Sequence, residues 1–227
     1  MSSAYVDMRL DKITMTQWIH RFEKELGVLL EIDEDSILYN LYRVHLLITK
    51  ERCNEAKWYL DMLEQRLSKE PSDIFQNCYY LYLTTLINCA EDYVKNVSDE
   101  IETIYANNAL EWRLGLFVLQ LNEDLIRNRE LRWQFMEEMF ENGCTSPMLL
   151  CEAVLLLLEH PTFLLKLDRF EENVLWHGAR RQILKPELIE QLQYLDARKK
   201  EYSTLLVRIL GEVYKSYGSP QTVASIC

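Results

Sequence analysis

Residues 36–71 read SILYNLYRVHLLITKERCNEAKWYLDMLEQRLSKEP, and the spacing within them decides the fold class. Ile37, Leu38, Leu41, Val44, Leu47 and Ile48 recur at intervals of three and four, the apolar stripe of an amphipathic helix, with Asp35 or Ser36 as its cap. The polar run Lys50 to Asn54 closes that helix. Ala56, Leu60, Leu63 and Leu67 form a second stripe in a helix predicted over 55–69, which Pro71-Ser72-Asp73 ends. Two striped helices joined by a short polar turn make an antiparallel pair, each burying its apolar face on the other.

The same grammar extends in both directions. Upstream, Thr14 and Gln17 have capping-box spacing and open a helix with Trp18, Ile19, Phe22, Leu26 and Leu29 on one face, weakened by Gly27. Tyr5 to Leu10 alternates apolar and polar residues and reads as an extended lead-in or a short strand. Downstream, helices are predicted over 74–89, 90–106, 109–121 and 123–141, the last stopped by Asn142-Gly143 as a left-handed C-cap. Ser146-Pro147 is an N-cap followed by Pro at the first helical position, and His160-Pro161 breaks the helix it starts. Asp168 begins the next, through Phe170, Val174, Leu175 and Ala179; Lys185-Pro186, Ser203 and Ser219-Pro220 begin three more. Starts recur every ~15 to 23 residues, so pairs recur at roughly 33 to 40, the stride of α-hairpin repeats. The expected architecture is a lead-in over 1–13 and an all-α right-handed superhelix, an α-solenoid of about six antiparallel pairs, over 14–227.

Composition agrees with that class. Only 6 Gly and 5 Pro occur in 227 residues, too few for the turns of a β-rich fold. Hydrophobic residues make up 48%, enough for a large core, so disorder is excluded. The 36 Asp+Glu outnumber the 25 Lys+Arg, giving a formal charge of −11, which argues against a nucleic-acid groove. The most apolar run, Met148 to Leu158, contains Glu152 and is far shorter than the ~20 residues that cross a bilayer. No membrane association is expected. Met1-Ser2-Ser3-Ala4-Tyr5 has no basic and apolar leader, so the visible chain reads as cytoplasmic, and its six cysteines as buried free thiols.

Residues Leu47 to Pro71 resemble a tetratricopeptide-type repeat: Asn54-Glu55-Ala56 stands at the start of the second helix, Leu60 at the large position and Pro71 as terminator. The stretch departs from the pattern in having no Gly before the turn and in placing Pro71 a few residues late. Ser146-Pro147 with Leu149, Leu150 and Ala153, and Lys185-Pro186 with Leu188, Ile189 and Leu192, resemble first helices of further pairs. A second resemblance covers the C-terminal third. Phe170, Val174-Leu175, Ala179, Ile183-Leu184, Leu195, Arg198-Lys199, Tyr202-Ser203, Leu205-Leu206, Arg208-Ile209-Leu210, Tyr214, Tyr217 and Val223 are similar to a segment of large uncharacterised proteins of anaerobic Gram-positive bacteria, a family of unknown function. That resemblance implies a fragment of a longer chain and carries no catalytic residue.

Motifs for chemistry are missing where they would be sought. The acidic run Glu31, Asp33, Glu34, Asp35 fails the calcium-loop test, since the positions needing Gly and Glu are Leu38 and Val44 counted from Asp33, or Asn40 and Leu46 from Asp35. His20, His45, His160 and His177 are scattered, with no close ligand pair for zinc. The six glycines are isolated, so no phosphate loop forms. Glu137, Glu138, Glu141, Glu171 and Glu172 read as solvated helix faces. No catalytic residue, metal or cofactor is therefore expected. Arg180-Arg181-Lys185 and Arg198-Lys199-Lys200 read first as charges favouring helix C-termini and second as a docking patch for an acidic partner.

The function expected is a non-enzymatic scaffold that binds a protein or peptide, or neighbouring repeats of its own chain. First helices of successive pairs would line a concave groove, presenting Asn40, Arg43, Asn77, Tyr80, Thr84, Asn88, Glu111 and Glu152 to an extended, basic or neutral segment. The alternative is a closed bundle holding an apolar ligand between Trp18, Phe22, Trp112, Phe117 and Trp133; a helical hydrolase is the reading these residues support least.

Overall fold

The computed structural model describes residues 8, 13–33, 35–69, 73–160, 163, 168–184, 205 and 207–213. Among them the chain is all-helical, with no strand. The helices are α1 (Met15–Ile32), α2 (Ile37–Thr49), α3 (Cys53–Leu67), α4 (Ile74–Ile87), α5 (Glu91–Asn107), α6 (Trp112–Leu121), α7 (Glu123–Arg127), α8 (Arg129–Glu141), α9 (Pro147–Glu159) and α10 (Arg169–Arg180), followed by helix over 207–213. Met8, the described residue of the Tyr5–Leu10 lead-in, is helical. The helix starts expected at Lys185-Pro186, Ser203 and Ser219-Pro220 lie outside the described residues, as does most of the C-terminal resemblance beyond Leu184.

Caps set the boundaries. Thr14 and Gln17 close both hydrogen bonds of a capping box at the head of α1. Ser36 rather than Asp35 caps α2, and Asp73, Ser146 and Asp168 cap α4, α9 and α10 by accepting backbone N–H bonds. Gly143 takes φ 97° just beyond α8, the left-handed stop that its position implied. After α2 the left-handed residue is Glu51 at φ 60°, where a Gly would carry less strain. The Arg52 N–H still reaches back to Leu47 O at 2.9 Å, so the turn closes without one.

The helix expected over 123–141 is instead two. Asn122 caps α7 through its side-chain oxygen, and Asn128 adopts extended backbone (φ −108°, ψ 103°), ending α7 after five residues. Asn competes with the helical backbone through its own short polar side chain, so a pair of them six positions apart favours a short helix with two ends.

Two compact units result: residues 1–128 with 142–144, and residues 129–141 with 145–227. In the first, each helix packs on its sequence neighbour from α1 to α7, and α2, α4 and α6 also pack on one another in succession, α2 on α4 and α4 on α6. Leu41, Val44, Ala56, Cys78, Leu83 and Leu114 have no exposed surface there. In the second, α8, α9 and α10 pack pairwise around Met136, Met139, Leu149, Ala153, Leu157, Val174 and Leu175. Among the described residues no helix is long and apolar enough to cross a membrane.

Gly27 sits inside α1 with nothing within 4 Å of where a Cβ would stand. Gly27→Ala is expected to raise stability by about 0.5–1 kcal/mol, because alanine loses less backbone entropy in a helix interior. Thermal melts followed by circular dichroism should show the rise; an unchanged or lower melting temperature would mean that α1 frays in the native state.

Candidate functional site

A polar-edged notch of about 160 Å³ opens between α2 and α3, lined by Asp35, Asn40, Arg43, Tyr59, Met62, Leu63 and Arg66. Arg43 stands one turn beyond Asn40 on α2, with Leu41 and Val44 anchoring the helix below. Its guanidinium carbon lies 4.3 Å from the centre of the Tyr59 ring, a cation–π contact that fixes a flexible side chain. Tyr59 in turn meets Trp58 edge-on at 4.8 Å. Trp58 is 57% exposed and Met62, one turn along the same face, 44%. The result is an immobilised ladder, Arg43 on Tyr59 beside Trp58, at the rim of an apolar step.

The eight residues expected to share one groove are distributed among separate surroundings. Asn40 and Arg43 meet at the α2–α3 notch, where the Asn40 side-chain amide donates to Ser36 O at 3.0 Å. Tyr80 and Thr84 are turned towards α5: the Thr84 and Tyr93 hydroxyls are 2.8 Å apart. Burial pushes the Tyr80 phenol up to about 12, with Glu64, Tyr93 and Asp61 adding to the effect. Asn77 and Asn88 are exposed on the same helix, and Asn88 caps its end. Glu111 is committed to Arg113 by two bonds of 2.5 and 2.7 Å, which hold its carboxyl below the usual range. Arg113 also lies 4.2 Å over Phe75. Glu152 belongs to the second unit, where it pairs with Arg132 at 3.4 Å.

The aromatic residues offered as walls for a ligand sit in side-chain packing. Trp18 and Phe22 meet at a tilt with centroids 5.4 Å apart on α1, Phe117 packs against Phe75, Tyr79 and Tyr82, and Trp133 of the second unit packs against Phe163 and Phe170. Trp112 is half-buried at the start of α6. Within the first unit Phe22, Tyr42, His45, Tyr79 and Tyr82 form a continuous edge-to-face cluster. His45 Nδ1 lies 2.7 Å from the Tyr79 hydroxyl, and burial lowers the imidazole to about 4.

The described cysteines divide, contrary to the expectation that all are buried; Cys227 lies outside the described residues. Cys78, Cys144 and Cys151 are buried, whereas Cys53 and Cys89 are exposed because they stand at the first turn of α3 and just past the end of α4, where the apolar stripe has stopped. Among the described residues no group of three or more His, Cys, Asp or Glu is arranged to hold a metal ion.

Trp58, Tyr59 and Met62 were not among the residues expected at a binding surface. A signal was present: Trp58 and Met62 fall off the Ala56, Leu60, Leu63, Leu67 stripe, so two large apolar residues at i and i+4 occupy the face that the pattern leaves to solvent.

No curated protein and no solved structure matches the chain. A family model described as family of unknown function (DUF5717), N-terminal, matches residues 1–227, and the chain belongs to that family.

Proposed function

We propose that this member of the DUF5717 N-terminal family is a non-enzymatic scaffold of tetratricopeptide-like helix pairs whose α2–α3 surface docks a segment of a protein partner. The observation that carries the reading is the Arg43–Tyr59–Trp58 ladder beside exposed Met62. Trp, Tyr and Arg dominate binding energy at protein interfaces because they bring large area with little conformational freedom to lose. Here the rotamers of Arg43 and Tyr59 are held before any partner arrives, so less entropy remains to be lost on binding. An apolar side chain of the partner would rest on Trp58 and Met62, and Arg43 N–H groups would meet its backbone carbonyls at the notch.

The repeat reading draws support from the packing of α2, α4 and α6 on one another with α3 and α5 between them in sequence, the order in which stacked α-hairpins place their first helices. Ala56, fully buried on α3, supplies the small residue such a pair needs for close approach to α2.

Panning a random twelve-residue display library against the whole chain tests the proposal. Selected peptides are expected to lose at least tenfold in affinity for Arg43→Ala/Trp58→Ala, with melting temperature little changed because both side chains lie outside the core. Peptides that bind the double variant as tightly as the unmodified chain would refute it.

A further inference from the structure

The second unit holds an unusual arrangement of charge. On α10, Trp176 is half-buried, and two guanidiniums lie over its indole: Arg180, one turn along, and Arg208, from the helical segment 207–213, each with its Cζ 5.6 Å from the ring centre. Both arginines are exposed, and among the described residues neither has a carboxylate partner. Exposed Arg169 likewise lies over a ring, 6.0 Å from the centre of Phe140, whereas three other exposed arginines are paired with carboxylates. Arg52 pairs with Glu55, Arg127 with Glu123 and Arg129 with Glu159. In a chain with eleven more acids than bases, two cations from separate elements gather on one ring.

The chemistry of the group narrows its ligand. A guanidinium held beside an indole by cation–π attraction keeps its N–H donors for a planar fork that matches a carboxylate or phosphate oxygen pair. Burial together with Arg181 and Arg180 keeps neighbouring His177 uncharged, down to about 4. A polyphosphate backbone would need a longer positive stripe. An acidic polypeptide segment needs only a local pair of cations and an aromatic surface for the aliphatic stems of its side chains.

We infer that Trp176, Arg180 and Arg208 form a second docking site, which takes carboxylate side chains from an acidic segment of a protein partner. It is separate from the α2–α3 surface, and neither proposal depends on the other.

A capped, fluorescein-labelled octaglutamate, titrated with the whole chain and followed by anisotropy, tests this. Saturable binding is expected, weakening severalfold as salt is raised from about 50 to about 300 mM, because partly exposed charges are screened over roughly 10 Å or less. Arg180→Gln/Arg208→Gln should weaken it at least tenfold with unchanged circular dichroism. If that variant folds poorly, Arg180→Lys/Arg208→Lys keeps the charge but removes the fork, and should lose severalfold. Absence of saturable binding, equal binding by the lysine variant, or tighter Arg-dependent binding of inorganic phosphate or of a single-stranded oligonucleotide of equal charge would overturn the assignment.

Discussion

Truncating Phe117 to alanine is expected to destabilise the first unit by about 3–5 kcal/mol, the cost of removing a buried aromatic ring and leaving its cavity. Phe117 is 8% exposed and is the meeting point of three rings on α4, with centroids 5.8 Å from Phe75, 5.5 Å from Tyr79 and 4.9 Å from Tyr82, all within about 22° of parallel. These stacks are the side-chain substance of the α4–α6 contact. The loss should exceed that of an isolated core residue, because Tyr82 also reaches across to α6, donating to Gln120 Oε1 at 2.5 Å. Phe117→Leu, which keeps most of the volume, should recover more than half of the stability. Urea unfolding followed by circular dichroism measures both; a loss below about 1 kcal/mol for the alanine variant would mean that neighbouring rings collapse into the space.

Acidification should be the second large effect. Burial among Phe22, Tyr42, Tyr79 and Tyr82 lowers the His45 imidazole from 6.5 to about 4 in the folded chain. A depressed pKa means that the unfolded chain binds the proton more readily, so stability is fully present above about pH 6.5 and declines as pH falls towards 4. At 1.36 kcal/mol per unit the full difference is roughly 3 kcal/mol. Protonation also takes from Nδ1 the lone pair that would accept the Tyr79 hydroxyl. His177 in the second unit is lowered in the same direction, first by burial and then by Arg181 and Arg180, so both units weaken over one window. Denaturation midpoints at pH 7 and pH 4.5 should differ strongly for the unmodified chain and less for His45→Gln, which cannot charge. Equal pH dependence in the two proteins would show that His45 is hydrated when folded.

Acid sensitivity of this kind is legible only in three dimensions. His45 stands four residues from Leu41 on a stripe already assigned to the core, but its burial depends on Phe22, 23 residues earlier, and Tyr79, 34 residues later. The same holds for the binding surface. Spacing along α4 marks Tyr80 and Thr84 as one face, yet which neighbour that face meets is decided by how α3 and α5 pack, and Thr84 comes to lie against Tyr93. Arg43 was singled out from the sequence, whereas its aromatic partners on α3 were not, because period counting within one helix says nothing of the helix opposite.

Helix class, most helix starts and the left-handed stop at Gly143 are determined by the sequence alone, since a cap or a stripe is settled among residues three or four apart. The break at Asn128 is local too, and lies within reach of such reading once both asparagines are weighed as end signals. Which residues become neutral and buried, and which guanidiniums share a ring, are decided by the tertiary structure. Those outcomes rest on contacts tens of residues apart, such as Arg208 reaching Trp176 from 32 positions away, and no periodicity along one helix encodes the meeting of two.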